Sequence, residues 1–161
     1  MVIRALQPAD FDALYAIYSD LEVVANNRFL PYISRNRFEA MFTDDQYNFV
    51  CCTDDGEILG HLAIIGSNKP RIRHVVSFGI AVSKRSRGQG VGRQLMQHLI
   101  DYCDNWLNVR RIELEVHANN EAALGLYNTF GFELEGAKKQ AVFVNGQFID
   151  ILLMARLNGR S

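Results

Sequence analysis

The chain has 161 residues, 48% of them hydrophobic and 22% charged, with a formal net charge of −1. That length fits one domain with a sizeable core, and the near-neutral charge excludes a whole-molecule field that would draw in nucleic acid or an anionic membrane. Any anion site has to be built locally.

"VIRAL" (residues 2–6) predicts a short strand, and no basic-then-apolar leader with a cleavage site precedes it. Pro8 sits where a helix begins, and Phe11, Leu14, Tyr15, Tyr18 and Leu21 then recur at helical spacing. "NNRFLPYISRNRFEAMFTDD" is less regular; Pro31 interrupts it and a short helix is expected over 35–42. "YNFVCCT" and "ILGHLAIIG" flank "DDGE", a β-hairpin pattern with its turn at Asp55-Gly56. Cys51 and Cys52 should point to opposite faces of one strand. With Cys103 they make an odd count without metal-like spacing, so packing is expected of them rather than a metal or a disulfide.

"HVVSFGIAV" (74–82) predicts a third apolar strand. A helix follows, with Val91, Leu95, Leu99, Cys103 and Trp106 on one stripe. "RIELEV" (111–116) alternates, placing Ile112, Leu114 and Val116 on one face and Glu113 and Glu115 on the other. Asn120 is placed to cap "EAALGLYNTF", which stops at Gly131. "FELEG" and "AVFVNGQFIDILLMARL" supply further strands, with Asn145-Gly146 a type I′ turn signal. No apolar stretch approaches the length that crosses a bilayer. The order β-α-(α)-β-β-β-α-β-α-β-β describes one mixed α/β domain over 1–161, and 74–117 read as a parallel strand–helix–strand crossover.

The stretch "VSKRSRGQGVGRQLMQHLI" (82–100) carries the chemistry. A helix N-terminus offers unpaired N–H groups and the positive end of its dipole. Gly88, Gly90 and Gly92 remove side chains where a ligand would approach them, and Lys84, Arg85, Arg87 and Arg93 add positive charge. Such a combination suits phosphate oxygens. A nucleoside-triphosphate loop would need Gly-Lys-Ser/Thr where this chain has Gly92-Arg93-Gln94. A dinucleotide fold wants G-x-G-x-x-G directly after its strand, whereas here G-x-G-x-G follows five intervening residues.

"RGQGVG" resembles the R-x-x-G-x-G/A pyrophosphate loop of the GCN5-related N-acetyltransferases (GNAT), with Arg87, Gly90 and Gly92 at its defining positions. "NNEAALGLYNTFGFE" is similar to the family's N-x-x-A-x-x-L-Y-x-x-x-G-F segment through Asn120, Ala123, Leu126, Tyr127, Gly131 and Phe132. "CDNWL", "RIELEV" and "NGQFIDILLMARL" are similar to bacterial members that act on free amino acids and related amines. The resemblance implies a mostly antiparallel mixed sheet with a splayed parallel pair of central strands and helices on both faces. It implies acetyl-CoA as cosubstrate, and no metal.

In this family the pantetheine arm pairs with the strand before the loop, which implies main-chain contacts from Ile80, Ala81 and Val82, one amide polarising the thioester carbonyl. The diphosphate is implied to sit on Arg87, Gly88, Gln89, Gly90, Val91, Gly92 and Arg93, with Asn120, Ala123 and Tyr127 also at the cosubstrate. Gly79 either starts the splay as a bulge or fits beneath a helix. Tyr127 is the implied general acid for the departing thiolate; on periodicity alone it would merely continue the stripe Ala123, Leu126 and Phe130. Glu115 is the implied base, against an ion-paired strand carboxylate, with Glu22, Glu113, His61 and His117 as lesser candidates. Phe29, Leu30 and Tyr32 offer an apolar acceptor surface, with Arg28 or Arg35 for a carboxylate, and core packing or dimer contact explains the same aromatics.

The expectation is direct acetyl transfer to the primary amine of a small molecule, possibly a free amino acid, in the cytoplasm. Nucleic-acid and membrane partners are not expected, and a homodimer is a family-level possibility. The rivals are a protein N-terminal or lysine acetyltransferase, a catalytically silent acetyl-CoA binder, and a nicotinamide-dependent oxidoreductase.

Overall fold

Local turn chemistry and side-chain periodicity set the elements of this computed structural model, which describes residues 1–159. Strand β1 (Val2–Ala5) leads through a 3-10 turn at Pro8–Asp10 into α1 (Phe11–Ser19), α2 (Leu21–Val24) and α3 (Arg35–Glu39). There follow β2 (Gln46–Cys52), β3 (Ile58–Ile65), β4 (Val75–Val82), α4 (Val91–Asn105), β5 (Arg111–His117), α5 (Glu121–Thr129), β6 (Glu133–Val144) and β7 (Gln147–Leu157). The hydrogen-bonded strand order is β1-β2-β3-β4-β5-β7-β6. Pairing is antiparallel for β1–β2, β2–β3, β5–β7 and β6–β7, and parallel for β4–β5. The sheet is thus mixed and mostly antiparallel, as expected for the family's fold.

The chain divides into two compact units, one of Met1–Ile65 with Gly79–Asp101, the other of Gly66–Phe78 with the chain from Tyr102 onward. In the first, Asp20 and Ser34 cap α2 and α3 by accepting from the amides of Glu22 and Arg37. Its core gathers Leu14, Ile17, Tyr18, Phe38 and Val50, with Phe29 and Phe42 packed against them. The β2–β3 turn contains Gly56 at φ +90, and Cys51 and Cys52 are both buried, so both faces of β2 are covered. Gly60 on β3 lies directly against α4: a Cβ there would stand 2.9 Å from Val91 Cγ1 and 3.0 Å from Leu95 Cδ1. Gly79 is different, since a Cβ there would meet nothing within 4 Å. The glycine fitted beneath a helix is Gly60.

In the second unit the parallel ladder joins Val75, Val76 and Ser77 of β4 to Arg111, Ile112 and Glu113 of β5. Ile112, Leu114 and Val116 are buried as their alternation predicts. Strands β6 and β7 form a long hairpin whose turn holds Asn145 at φ 49 and Gly146 at φ 77, the paired positive values of a type I′ turn. Arg156 donates to both carboxylate oxygens of the largely buried Asp104 at 3.0 and 2.9 Å.

Helix α4 buries Val91, Leu95, Leu99 and Cys103, but Trp106 leaves the predicted stripe and is 80% exposed. The helix ends at Asn105, the amide of Val109 donates back to Cys103 O, and Asn108 takes φ 53. The Trp106 amide still donates to Tyr102 O at 3.1 Å, but the helix stops there and its ring is left in solvent.

Candidate functional site

The glycine loop belongs to the first unit. At the end of β4 the amide of Ser83 donates to Leu59 O at 2.8 Å, and a 3-10 turn over Lys84–Ser86 follows. Arg87 is extended, Gly88 has φ +73 and Gly90 has φ +82. A Cβ at either glycine would meet nothing within 4 Å, so what glycine supplies there is backbone conformation and open space. The side chain of Gln89 steadies the loop, its Nε2 donating to Arg85 O at 2.9 Å.

The first i→i−4 bond of α4 runs from Gln94 N to Gly90 O. The amides of Val91 and Gly92 lie ahead of it, where helical geometry offers them no carbonyl. Two positive-φ glycines just ahead of a helix start leave main-chain N–H groups unscreened by side chains, an arrangement that suits an anion. The chemistry of this cradle, main-chain donors with open space at Gly88 and Gly90, is compatible with a diphosphate.

The basic residues beside the loop are already engaged. Glu22, in the first turn of α2, holds Lys84 Nζ at 2.6 Å and Arg87 NH1 at 2.8 Å. These two cations keep the Glu22 carboxyl below its usual range, Lys84 having the larger effect. A carboxylate so placed is a poor base. Arg85 lies 3.8 Å from Glu57, with both groups exposed.

Tyr127 belongs to the second unit. It is the buried residue of α5, 7% exposed, and burial pushes its phenol up to about 12. Its ring meets that of Phe78 in a T-shaped contact, and Phe132 packs nearby at 5.9 Å. Such a phenol stays protonated throughout the neutral range and is able to donate. Asn120 caps the same helix, its Oδ1 accepting from the Ala123 amide at 3.3 Å. On β5, Glu115 pairs with Lys138 Nζ at 2.7 Å, and Glu113 with Arg111 at 2.8 Å. His117 is buried rather than on the surface.

The proposed acceptor segment divides by exposure. Phe29 packs on Tyr18 with ring centroids 5.7 Å apart, whereas Arg28 is exposed, Leu30 is 77% exposed and Tyr32 93%. Tyr32 also takes φ +63, a conformation that costs a non-glycine residue energy. Arg35 is engaged by Asp12 and Glu39.

Nothing in the sequence pattern pointed to the chain of bonds behind this segment. Tyr18 Oη meets His61 Nδ1 at 2.8 Å, and His61 Nε2 meets Asn48 Oδ1 at 3.0 Å. Because the Asn48 oxygen only accepts, Nε2 carries the proton and Nδ1 accepts from the Tyr18 hydroxyl. Burial lowers the His61 pKa to about 4, so this histidine is a neutral core residue held from both sides.

A mixed, mostly antiparallel sheet with one parallel pair, β4–β5, is the fold of a recognisable class of acyl-transfer enzymes. The chain matches the acetyltransferase (GNAT) family over residues 11–132 and belongs to that family. It is an N-acetyltransferase. It is 38% identical to the L-amino acid N-acetyltransferase AaaT of Escherichia coli, over 98% of both chains. It is 31% identical to the L-methionine sulfoximine/L-methionine sulfone acetyltransferase of Pseudomonas paraeruginosa, over 94% of this chain and 91% of that one. Among solved structures it resembles spermidine N-acetyltransferase from Vibrio cholerae in complex with CoA and spermine, with a TM-score of 0.87 and 25% identity. That likeness covers 97% of this chain and 94% of the other.

Proposed function

We propose that this chain acts as one acetyltransferase domain that moves the acetyl group of acetyl-CoA to the α-amino group of a free amino acid. The observation that carries the acceptor is the full-length similarity to an L-amino acid N-acetyltransferase. The cosubstrate supplies an activated thioester. Support for its place comes from the cradle at the start of α4, where Arg87 through Arg93 would bind the diphosphate on main-chain N–H groups.

Main-chain groups of Ile80, Ala81 and Val82 would orient the pantetheine arm. In favour of this, the parallel pairs among the described residues are those of Val75, Val76 and Ser77 of β4. Asn120 and Ala123 would contact the cosubstrate at the start of α5. Tyr127 would hold its proton at Oη until the leaving sulfur takes it. A thiol of pKa near ~8.5 in water is also raised by desolvation, which narrows its gap to a phenol near 12.

Glu115 would receive the acceptor's proton only after parting from Lys138. The α-ammonium of a free amino acid, beside its own carboxylate, is largely protonated at neutral pH, so the acceptor does need such a proton sink. Arg28, Phe29, Leu30 and Tyr32 would line the acceptor side. Direct transfer is favoured because all three cysteines are buried and burial raises the thiols of Cys51 and Cys103, the latter to about 12. Free cysteines also fit the cytoplasm as the working compartment. The exposed rings of Phe143 and Phe148, tilted at 51° with centroids 4.9 Å apart on the β6–β7 hairpin, would suit a homodimer contact.

The test is thiol release from acetyl-CoA with free L-amino acids, polyamines, aminoglycosides and peptides as acceptors. Free amino acids should give the highest kcat/KM. A preference for peptides, or turnover with polyamines alone, would replace the acceptor proposed here.

A further inference from the structure

Lys84 and Arg87 flank the glycine cradle, yet both are claimed by a single carboxylate on another element. Glu22 Oε1 lies 2.6 Å from Lys84 Nζ, and Oε2 lies 2.8 Å from Arg87 NH1. We propose that Glu22 is a positioning residue that competes with the donor's diphosphate for Lys84 and Arg87, so that donor binding frees α2 and the segment behind it. This rests on the acetyl-CoA reading of the cradle.

One negative charge shared by two cations leaves a net single positive charge beside the cradle, and a diphosphate would draw on the same pair. The side chains of Glu22, Lys84 and Arg87 are 51%, 58% and 43% exposed. Ion pairs this wet are weak, as a contact that opens in every catalytic cycle has to be.

The connection to the rest of the chain is short. Asp20 Oδ1 accepts from Glu22 N at 2.8 Å, Val24 and Ala25 donate back to Asp20 and Leu21, and Asn27 Nδ2 donates to Val23 O. Asn27 Oδ1 then accepts from Phe29 N at 2.7 Å. Through these bonds a change at Glu22 reaches the segment that bears Phe29, Leu30 and Tyr32. Donor binding would in this way precede and prepare acceptor binding.

The experiment measures the acetyl-CoA dissociation constant by calorimetry for wild type, Glu22→Gln, Glu22→Ala and the surface control Asp44→Asn, each at low and high salt. Glu22→Gln keeps the shape and an accepting oxygen while removing the charge. It should bind roughly 3- to 10-fold tighter at low salt, the gap closing at high salt. Asp44→Asn should match wild type. Hydrogen exchange should show coenzyme A speeding exchange over residues 21–29 in wild type, with Glu22→Gln already fast and unchanged by ligand.

Equal or weaker binding by Glu22→Gln, or exchange over 21–29 indifferent to coenzyme A in wild type, overturns the competition while leaving the cradle intact. If neither wild type nor Glu22→Gln binds acetyl-CoA, the reading of the cradle falls and this proposal with it.

Discussion

The Tyr127 and Phe78 rings meet in a T-shaped contact, with centroids 5.8 Å apart and an interplanar angle of 81°. Phe132 flanks the same ring at 5.9 Å, so apolar contacts hold it. Removing the oxygen should therefore spare the packing. Tyr127→Phe is expected to lower kcat by roughly 10- to 100-fold while acetyl-CoA affinity and thermal midpoint stay within error of wild type. Steady-state kinetics alongside calorimetry and thermal melts check this; an unchanged kcat removes Tyr127 as the acid. With its phenol near 12, the wild-type rate should rise as the acceptor amine deprotonates and show no Tyr127-dependent fall below pH about 11. A descending limb at pH 8–9 that Tyr127→Phe abolishes would contradict the protonated-phenol role.

Gly90 and Gly56 make a matched pair, at φ +82 and +90, and a Cβ on either would meet nothing within 4 Å. Valine at each position carries a similar backbone penalty, of order 1–2 kcal/mol. Gly90→Val and Gly56→Val should thus lose comparable stability in urea titrations. Only Gly90→Val should weaken acetyl-CoA, by about tenfold or more, because Gly90 belongs to the cradle. Unchanged affinity in Gly90→Val, measured by calorimetry, would move the diphosphate elsewhere.

What the sequence revealed is what short-range chemistry decides. Asp55-Gly56 and Asn145-Gly146 announce their turns because Gly56, Asn145 and Gly146 take positive φ, which excludes most other residues. Ile112, Leu114 and Val116 announce their face because a strand repeats every second residue. Trp106 misleads for the same reason: periodicity continues past the helix end at Asn105, where no glycine marks the stop. Glu22 reads as one more candidate base until its partner Arg87, 65 residues away in sequence, is seen beside it. The Tyr18–His61–Asn48 chain likewise joins residues that no local pattern relates.

Gly60 illustrates a constraint set wholly by packing. An alanine Cβ there would stand 2.9 Å from Val91 Cγ1, 3.0 Å from Leu95 Cδ1 and 3.0 Å from the Ala81 carbonyl oxygen. Two of these neighbours lie in the first two turns of α4, the helix that begins at the cradle, and the third is main chain that yields little. Gly60→Ala should cost about 1–3 kcal/mol in urea unfolding by overpacking. The displaced helix start should also weaken acetyl-CoA severalfold, in contrast to Gly56→Val, which strains only a distant turn. Wild-type stability in Gly60→Ala would mean that α4 stands further from β3 than described.

His61 sets a pH dependence whose sign follows from burial. Its folded-state pKa is about 4, below the ordinary value of 6.5, because the charged imidazolium is desolvated. Above pH 6.5 the ring is neutral in both folded and unfolded chains, and its contribution is fully present. As pH falls from 6.5 toward 4 the unfolded chain takes up the proton first, so stability is lost across that window, by up to about 3 kcal/mol. His98, whose pKa desolvation also lowers, adds in the same direction. Urea titrations of wild type between pH 7 and 4.5 should show this loss. His61→Gln, which keeps an amide donor and an acceptor for Asn48 and Tyr18, should be less stable at pH 7 yet lose less on acidification. If both proteins lose stability equally between pH 6.5 and 4.5, the acid sensitivity arises elsewhere and His61 is not buried as a neutral ring.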